Sequence, residues 1–376
     1  MILVMNKRPD ALTLNDLIVA LRGIGGEPDL PADVGQTRIE TALVDSRLAG
    51  PGCLFVALRG ERLDGHDFIE EAVAKGAVAV MGERAPHSAE YVSGGPQAVQ
   101  IWQVPGATCL VVPNSLEALQ RVAAHWRRQH DVRVIAITGS LGKTVTKELV
   151  AAVMRQRYRT LKSERNYNNE IGLPLTLLHL TSGHTRVVLE MGMYDVGEIA
   201  HLAEIAKPQV GLVTNVGPSH LERLGSMERI AQAKAELPQA LPAEEEGGVA
   251  ILNIDNRYTQ NMASLTQARV FFYGLDSRAD LWADCIESKG LDGIHFRFHY
   301  GRETIHTRIP MLGRHSVHTA LCGAAVGLTE GLSWEEIIAG LRDQSAQLRL
   351  VAVAGPNGSI ILDDTYNASP TSSIAA

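Results

Sequence analysis

Apolar positions along this chain change their period several times, and the changes mark out its elements. Residues 13–22 repeat at helical spacing, with Thr13 as the N-cap. Over 41–60 the period shortens, and a strand, a turn at Pro51-Gly52 and a second strand at Cys53–Leu58 are predicted. Residues 67–75 read as helix and Ala77–Met81 as strand, so the N-terminal part is predicted to be a small α/β domain. The stretch Pro86–Gln100 is richer in Pro, Gly and Ser and reads as a loop. Ser115–Gln129 is strongly helical, with Ser115 as N-cap, and leads from the first domain into the second.

From Val132 the pattern becomes repetitive. Apolar runs at 134–137, 187–189, 210–213, 249–252 and 269–272 alternate with helical stretches, which predicts a parallel, doubly wound sheet. Ligands of such sheets gather at the carboxyl ends of strands, and polar residues stand there: Thr138-Gly139, Glu190, Asn215 and Asn253. Helices are predicted at Ser316–Gly327 and Ser333–Leu341. Ile360-Ile361-Leu362 then starts a new strand that runs into Asp363-Asp364-Thr365-Tyr366-Asn367, shortly before the sequence ends. Three domains are expected, over 1–112, 113–346 and 347–376, the last only the beginning of one.

Composition narrows the classes. The formal net charge of −7 over 376 residues argues against non-specific nucleic-acid binding. The one basic cluster, Arg121 and Arg127-Arg128 near His125 and His130, reads as the solvated C-terminus of a helix. Four scattered cysteines (Cys53, Cys109, Cys285, Cys322) include no C-x-x-C pair, so they read as buried thiols of a reducing compartment. No apolar run reaches the length of a membrane span, and Met1–Met5 is too short for a signal-peptide core. A soluble, cytoplasmic protein is expected.

The strongest chemical signal lies at 134–150. A β-branched apolar strand ends in Gly139-Ser140-Leu141-Gly142-Lys143-Thr144-Val145, and a helix follows. Backbone N–H groups of such a turn and helix N-terminus point at phosphate oxygens, the lysine reaches the terminal phosphates, and the threonine hydroxyl can hold Mg²⁺. The usual loop has one more glycine, where this chain has Ile137. A glycine-bounded turn is also an ordinary connection, but strand, Lys-Thr and helix together favour an ATP or GTP site.

Glu190 ends the apolar strand Val187-Val188-Leu189 and would project from the sheet toward bound phosphates. Mg²⁺ takes oxygen ligands, typically one or two carboxylates with a hydroxyl and waters. Taken alone, a Glu after a strand is a solvated cap; a phosphate loop in the same sheet favours the ligand role. His220 follows another apolar strand, where a lone histidine is ordinarily structural or a helix cap. Lys234 lies on a helix and by itself reads as a surface lysine.

These motifs, in this order, resemble the ATP-dependent Mur ligases over nearly the whole chain. The first part carries Asp45-Ser46-Arg47, Pro51–Gly60 and Asp64-Gly65-His66-Asp67-Phe68, similar to that family's uridine-nucleotide-binding domain. The centre carries the phosphate loop, Asn166–Gly172, Leu189-Glu190-Met191-Gly192-Met193, Asn215–Glu222 and Gly313-Arg314-His315; the end carries Leu362–Pro370. Glu-Met-Gly-Met and Val-Gly-Pro-Ser-His point to the branch that attaches D-alanyl-D-alanine to a UDP-N-acetylmuramoyl tripeptide. The resemblance implies that Lys143 contacts the β- and γ-phosphates of ATP, and that Thr144 and Glu190 hold one Mg²⁺. It also implies that His220 helps hold a second Mg²⁺ with Lys234, which the family carries as a carbamate formed with CO₂. Asn253 and Arg314 are implied near the nucleotide, and Asn168 and Asn169 near the transferring phosphate and the peptide. Ser46 and Arg47 suit the uridine diphosphate, hydroxyl and guanidinium being good pyrophosphate donors. Asp45 orients Arg47, or the two form a plain strand-end salt bridge.

The family has a third, Rossmann-like domain that closes over ATP, and only its first strand and turn are recognisable here. The chain is therefore expected to be a fragment that binds nucleotide weakly and does not complete ligation. It is expected to be a monomer. Ser316 and Thr319 stand where the family has asparagines, and Leu141 replaces a smaller or polar loop residue. Two alternatives stay open: a ligase of the same superfamily acting on folates, and a non-catalytic nucleotide-binding module.

Overall fold

The computed structural model describes residues 11–22, 32–94, 99–164, 166–219, 221–343, 351–356 and 359–363. The chain divides into two compact units: residues 1–131 with 170–183, and residues 132–169 with 184–376.

The first unit is built on a six-stranded sheet of β1 (Thr41–Leu43), β2 (Cys53–Val56), β3 (Ala79–Gly82), β4 (Glu90–Ser93), β5 (Gln100–Val104) and β6 (Ala107–Val111). The strand order is β1-β2-β3-β6-β5-β4. The first four strands are parallel, so Leu43, Phe55, Val80 and Cys109 lie in register across the sheet. These buried side chains pack with Ala57, Ile69 and Ala72 into the core of this unit. Helix α1 (Leu14–Ala20) begins where the sequence places it, at Thr13. The Thr13 hydroxyl accepts from Asp16 N–H while the Asp16 carboxylate accepts from Thr13 N–H, a reciprocal cap. Helix α2 (Ile69–Ala74) follows β2.

Three expectations for this unit are corrected. The loop predicted over Pro86–Gln100 contains β4, which pairs antiparallel with β5. As an edge strand with most side chains exposed it has no apolar alternation to read. Helix α3 (Ser115–Arg128) is capped by Asn114, whose Oδ1 accepts from Glu117 N–H at 2.9 Å, so Ser115 is its first helical residue. The basic end of α3 is not simply solvated. Arg127 and His130 are buried, Arg127 Nη1 donates to the His130 carbonyl at 3.0 Å, and the His130 ring lies edge-on to Trp126 at 4.7 Å.

The second unit is organised by a nine-stranded sheet. Its strands are β7 (Arg133–Thr138), β8 (Thr160–Lys162), β9 (Arg186–Glu190), β10 (Val210–Val213), β11 (Val249–Asn253), β12 (Arg269–Gly274), β13 (Leu281–Ser288), β14 (Ile294–Tyr300) and β15 (Glu303–Ile309). The order is β8-β9-β7-β10-β11-β12-β13-β14-β15. All pairings from β8 to β13 are parallel, as the recurring apolar runs predict; the last two strands are antiparallel. Between β7 and β10 the chain changes its direction of winding, which opens a crevice at the carboxyl end of β7. Helices α4 (Lys143–Met154), α5 (Glu198–Ala206), α6 (Met227–Gln239), α7 (Ser316–Thr329) and α8 (Trp334–Leu341) cover the sheet.

Helix α7 is almost wholly buried, and small residues let its neighbours approach. A Cβ at Gly327 would meet Ile337 at 2.7 Å, and one at Gly340 of α8 would meet the Val153 Cα at 2.4 Å. The strand predicted at Ile360–Leu362 runs over Ile360–Asp363 and pairs antiparallel with Val351–Ala354. The motif residues Asp364, Thr365, Tyr366 and Asn367 lie outside the described residues.

Candidate active site

The phosphate loop leaves β7 at Gly139 and enters α4 at Lys143. Both glycines take backbone angles that other residues rarely adopt: φ is +148° at Gly139 and +79° at Gly142, the N-cap. The loop is strapped to the segment that follows β10. Ser140 N–H donates to the Asn215 carbonyl at 3.0 Å and Leu141 N–H to Asn215 Oδ1 at 3.0 Å. The Leu141 carbonyl accepts from Thr214 Oγ1 (2.7 Å) and Asn215 Nδ2 (3.0 Å), and Ser140 Oγ donates to the Gly217 carbonyl at 3.0 Å. The strap approaches so closely that a Cβ on Gly139 would lie 1.9 Å from Thr214 Oγ1. Gly139→Ala is therefore expected to cost roughly 1–3 kcal/mol and to abolish ATP binding, measured by urea denaturation and nucleotide titration.

With the loop so held, the first N–H groups of the twelve-residue helix α4 have no intrahelical acceptors and carry the positive end of its dipole. Lys143 Nζ donates to the Gly139 carbonyl at 2.9 Å, folded back over the loop. Burial pushes its ammonium below the usual lysine range, and the charge of Glu190 opposes that shift. Thr144 and Val145 follow in the first turn, half-buried.

Glu190, the last residue of β9, is 2% exposed. Its Oε1 accepts from Asn168 Nδ2 at 2.8 Å, and its backbone N–H donates to Ser163 Oγ at 3.3 Å. Its Oε2 is buried without a hydrogen-bond partner. A carboxylate oxygen left bare in a buried place suits a hard cation, and so does the hydroxyl of Thr144 in the first turn of α4. Among the described residues no group of three or more His, Cys, Asp and Glu could hold a metal ion. Asn169 stands half-buried beside Asn168.

Lys234 overturns its reading as a surface residue: on α6 it is 2% exposed. Burial, with the nearby Lys143 cation, pushes its amine down to about 7. Electrostatic coupling of Lys143 to both Glu190 and Lys234 shows that three sequence candidates share one neighbourhood. His220 lies outside the described residues.

Asn253 and Arg314 are found in other engagements. Asn253 Nδ2 donates to the Thr214 carbonyl at 2.9 Å and its Oδ1 accepts from Asp255 N–H at 3.0 Å, so its amide buckles two strand ends together. The exposed Arg314 donates from Nη1 to the Ile286 carbonyl at 3.0 Å. Sequence reasoning missed Asp255, whose Oδ2 accepts from Leu275 N–H (2.7 Å) and meets His318 Nε2 (2.9 Å). Burial works against its ionisation, but these bonds carry its carboxyl below the usual range.

In the first unit, Ser46 is buried in a short turn and its hydroxyl donates to Glu71 Oε2 at 3.3 Å. Arg47 is gripped by Asp45, Nε to Oδ1 at 2.9 Å and Nη2 to Oδ2 at 2.6 Å, with its side chain 83% exposed. That bond holds the Asp45 carboxyl below its usual range. His66 is buried: Glu83 N–H donates to its Nε2 at 2.7 Å, so the ring proton sits on Nδ1 and is given to Asp64 Oδ1 at 2.5 Å.

Comparison with known proteins agrees with this arrangement. The profile of the Mur ligase middle domain matches residues 137–327, and that of the Mur ligase family catalytic domain matches 38–127. The UDP-N-acetylmuramoyl-tripeptide–D-alanyl-D-alanine ligase of Mycobacterium tuberculosis (strain ATCC 25618 / H37Rv) is 38% identical over 356 residues, 91% of this chain and 68% of that protein. The Escherichia coli K12 enzyme of the same name is 35% identical over 369 residues, 97% of this chain and 75% of its own. Crystal structure I of MurF from Acinetobacter baumannii superposes with a TM-score of 0.83 at 31% identity, covering 98% of this chain and 76% of that one. MurF ligase from Thermotoga maritima in complex with ADP gives 0.73 at 27% identity, covering 89% and 73%. Among the described residues no helix is long and apolar enough to cross a membrane. A P-loop at the winding change of a parallel sheet, a bare carboxylate oxygen at the next strand end and this agreement along the chain have one account: the chain belongs to the Mur ligase family.

Proposed function

We propose that this protein serves the ATP-dependent ligation of D-alanyl-D-alanine to UDP-N-acetylmuramoyl tripeptide in the cytoplasm, acting as a monomer. The observation that carries the proposal is the buried Glu190 carboxylate with Oε2 unpartnered, electrostatically coupled to the loop lysine Lys143. Relatives with this printed name are 35–38% identical over most of the chain.

The carboxylate of the peptide attacks the γ-phosphorus of ATP; the bond to the bridging oxygen breaks, ADP leaves and an acyl phosphate forms. The amine of D-alanyl-D-alanine then attacks the acyl carbon, phosphate leaves, and the amine gives up a proton. The chain's own groups position and neutralise charge. Lys143 turns from the Gly139 carbonyl to the β- and γ-phosphates, the first N–H groups of α4 receive the phosphate oxygens, and Arg314 would leave the Ile286 carbonyl to reach the nucleotide. Thr144 and Glu190 would hold one Mg²⁺; His220 and Lys234 would hold a second. Bound there, the ions neutralise phosphate charge and orient the transferring group. An amine held near 7 is substantially neutral, which is the form that adds to CO₂, and the carbamate is an oxygen-donor anion. Asn168 aims Glu190, and Asn169 and Asn253 line the peptide and nucleotide sides. Ser46 and Arg47 take the uridine diphosphate in the first domain.

The test is ADP release. It should require both the muramoyl tripeptide and D-alanyl-D-alanine, in this chain or in this chain joined to the remaining length of its relatives. Lys143→Ala should lower the rate roughly 100-fold or more. ADP formed with a folate and glutamate instead would transfer the assignment to the folate branch, and nucleotide binding without turnover in either form would leave only a binding module.

A further inference from the structure

We infer that Glu236 is a positioning residue that braces the Lys234 segment of α6 against the chain leaving β9, and so fixes one wall of the metal site; this rests on the metal role proposed for Glu190 and Lys234. Glu236 stands two positions after Lys234 on α6 and is 8% exposed. Two positions on a helix differ by about 200°, so the two side chains face different neighbours. Glu236 faces the start of α5. Its Oε1 accepts from Gly197 N–H at 2.6 Å and its Oε2 from Ala200 N–H at 2.9 Å.

Helix α5 has no side-chain cap of its own, since its N-cap is Gly197, with φ at +97°. Its cap is therefore supplied by α6, through bonds from amides to a carboxylate at the positive end of a helix. The segment so held is the same one that begins at Glu190 and runs through Met191–Gly197 into α5. One carboxylate thus ties the Glu190 side of the site to the helix that carries Lys234.

A second observation shows why α6 needs the tie. Pro238 lies inside this helix. Its missing N–H is the one that would donate to the carbonyl four residues earlier, which is that of Lys234. The hydrogen-bond ladder is interrupted at the carbonyl of the residue that carries the amine. The Glu236 bonds supply the missing constraint. A cap serving α5 alone would stabilise the fold without bearing on Lys234.

The experiment compares the wild type with Glu236→Gln, Glu236→Ala and Lys234→Ala by three readouts. These are the melting temperature, ATP binding in EDTA, and the Mg²⁺ concentration that half-saturates the magnesium-dependent gain in ATP affinity. Glu236→Ala is expected to raise that concentration about tenfold or more, with ATP binding in EDTA changed less than about twofold. Added bicarbonate should recover part of the loss. Glu236→Gln keeps one acceptor oxygen, should fall between, and carries the test if the alanine variant does not fold. A lower melting temperature with an unchanged Mg²⁺ requirement in the Glu236 variants, while Lys234→Ala raises it, overturns the brace alone. No rise in Lys234→Ala overturns the metal role of Lys234, and the brace's part in the site with it.

Discussion

Glu190→Gln is expected to leave the nucleotide-free protein as stable as before, or up to about 1 kcal/mol more stable, while removing magnesium-dependent ATP binding. The two effects have opposite signs because the role proposed for Glu190 is to meet a cation, and without one its charge is buried and half-partnered. Its Oε2 is buried without a partner and its Oε1 is held by Asn168. Lys143, whose charge acts on Glu190, spends a hydrogen bond on the Gly139 carbonyl at 2.9 Å. Glutamine keeps an acceptor for Asn168 and relieves the buried charge, at the cost of leaving its own amide protons in the same bare place. Urea denaturation without Mg²⁺ reads the first effect. Calorimetry with MgATP should show at least about a tenfold loss of affinity, and ADP release should fall roughly 100- to 1,000-fold. A variant that loses more than about 2 kcal/mol of stability yet binds MgATP normally would make Glu190 a structural residue.

The parallel core of the second unit was legible because buried parallel strands are continuous apolar runs, and each of the five runs became a strand. The phosphate loop was legible for a different reason. Gly139 and Gly142 need backbone angles that few other residues adopt, so their chemistry is written in their identity. The antiparallel strands β14 and β15 were not read: Ile294–Tyr300 does carry the apolar–polar alternation of a half-buried strand, which was overlooked, while Glu303–Ile309 is mostly exposed and alternates only at its end. Strand β4 was hidden by the same exposure.

Lys234 shows the limit most clearly. A lysine among Ala, Gln and Glu on a helix carries no local sign of burial, and only the packing of α6 takes it to 2% exposure. Family resemblance, not spacing, singled it out. Glu236 left no trace at all in the sequence reading, since its partners are backbone N–H groups near residue 200, and main-chain donors have no letter. Asn253 was noticed as a polar strand end, and the bonds of its amide to the loops around it left no sign in the sequence.

Far from the phosphate loop, at the amino ends of the strands, Glu330→Ala is expected to cost about 3 kcal/mol or more of stability and nothing in the nucleotide affinity of the folded protein. Arg133 and Arg186 begin β7 and β9 and are direct neighbours in the sheet register, so two guanidiniums stand side by side. Glu330, its side chain 1% exposed, lies between them: Oε1 accepts from Arg133 Nε at 2.5 Å and Oε2 from Arg186 Nε at 2.6 Å. The Tyr158 ring stacks under Arg186 at 3.9 Å, and its hydroxyl donates to the Glu330 carbonyl. Removing the carboxylate leaves two like charges adjacent, neither fully in water, around a cavity at the end of α7. Glu330→Gln keeps the shape and loses the charge, so it should fall between wild type and alanine. Adding Arg186→Met to Glu330→Ala removes the repulsion and should recover part of the loss, a coupling that a double-mutant cycle in urea measures. A cost below about 1 kcal/mol for Glu330→Ala would mean that solvent reaching Arg133, 28% exposed, already screens the pair and that the strand ends are held by packing alone.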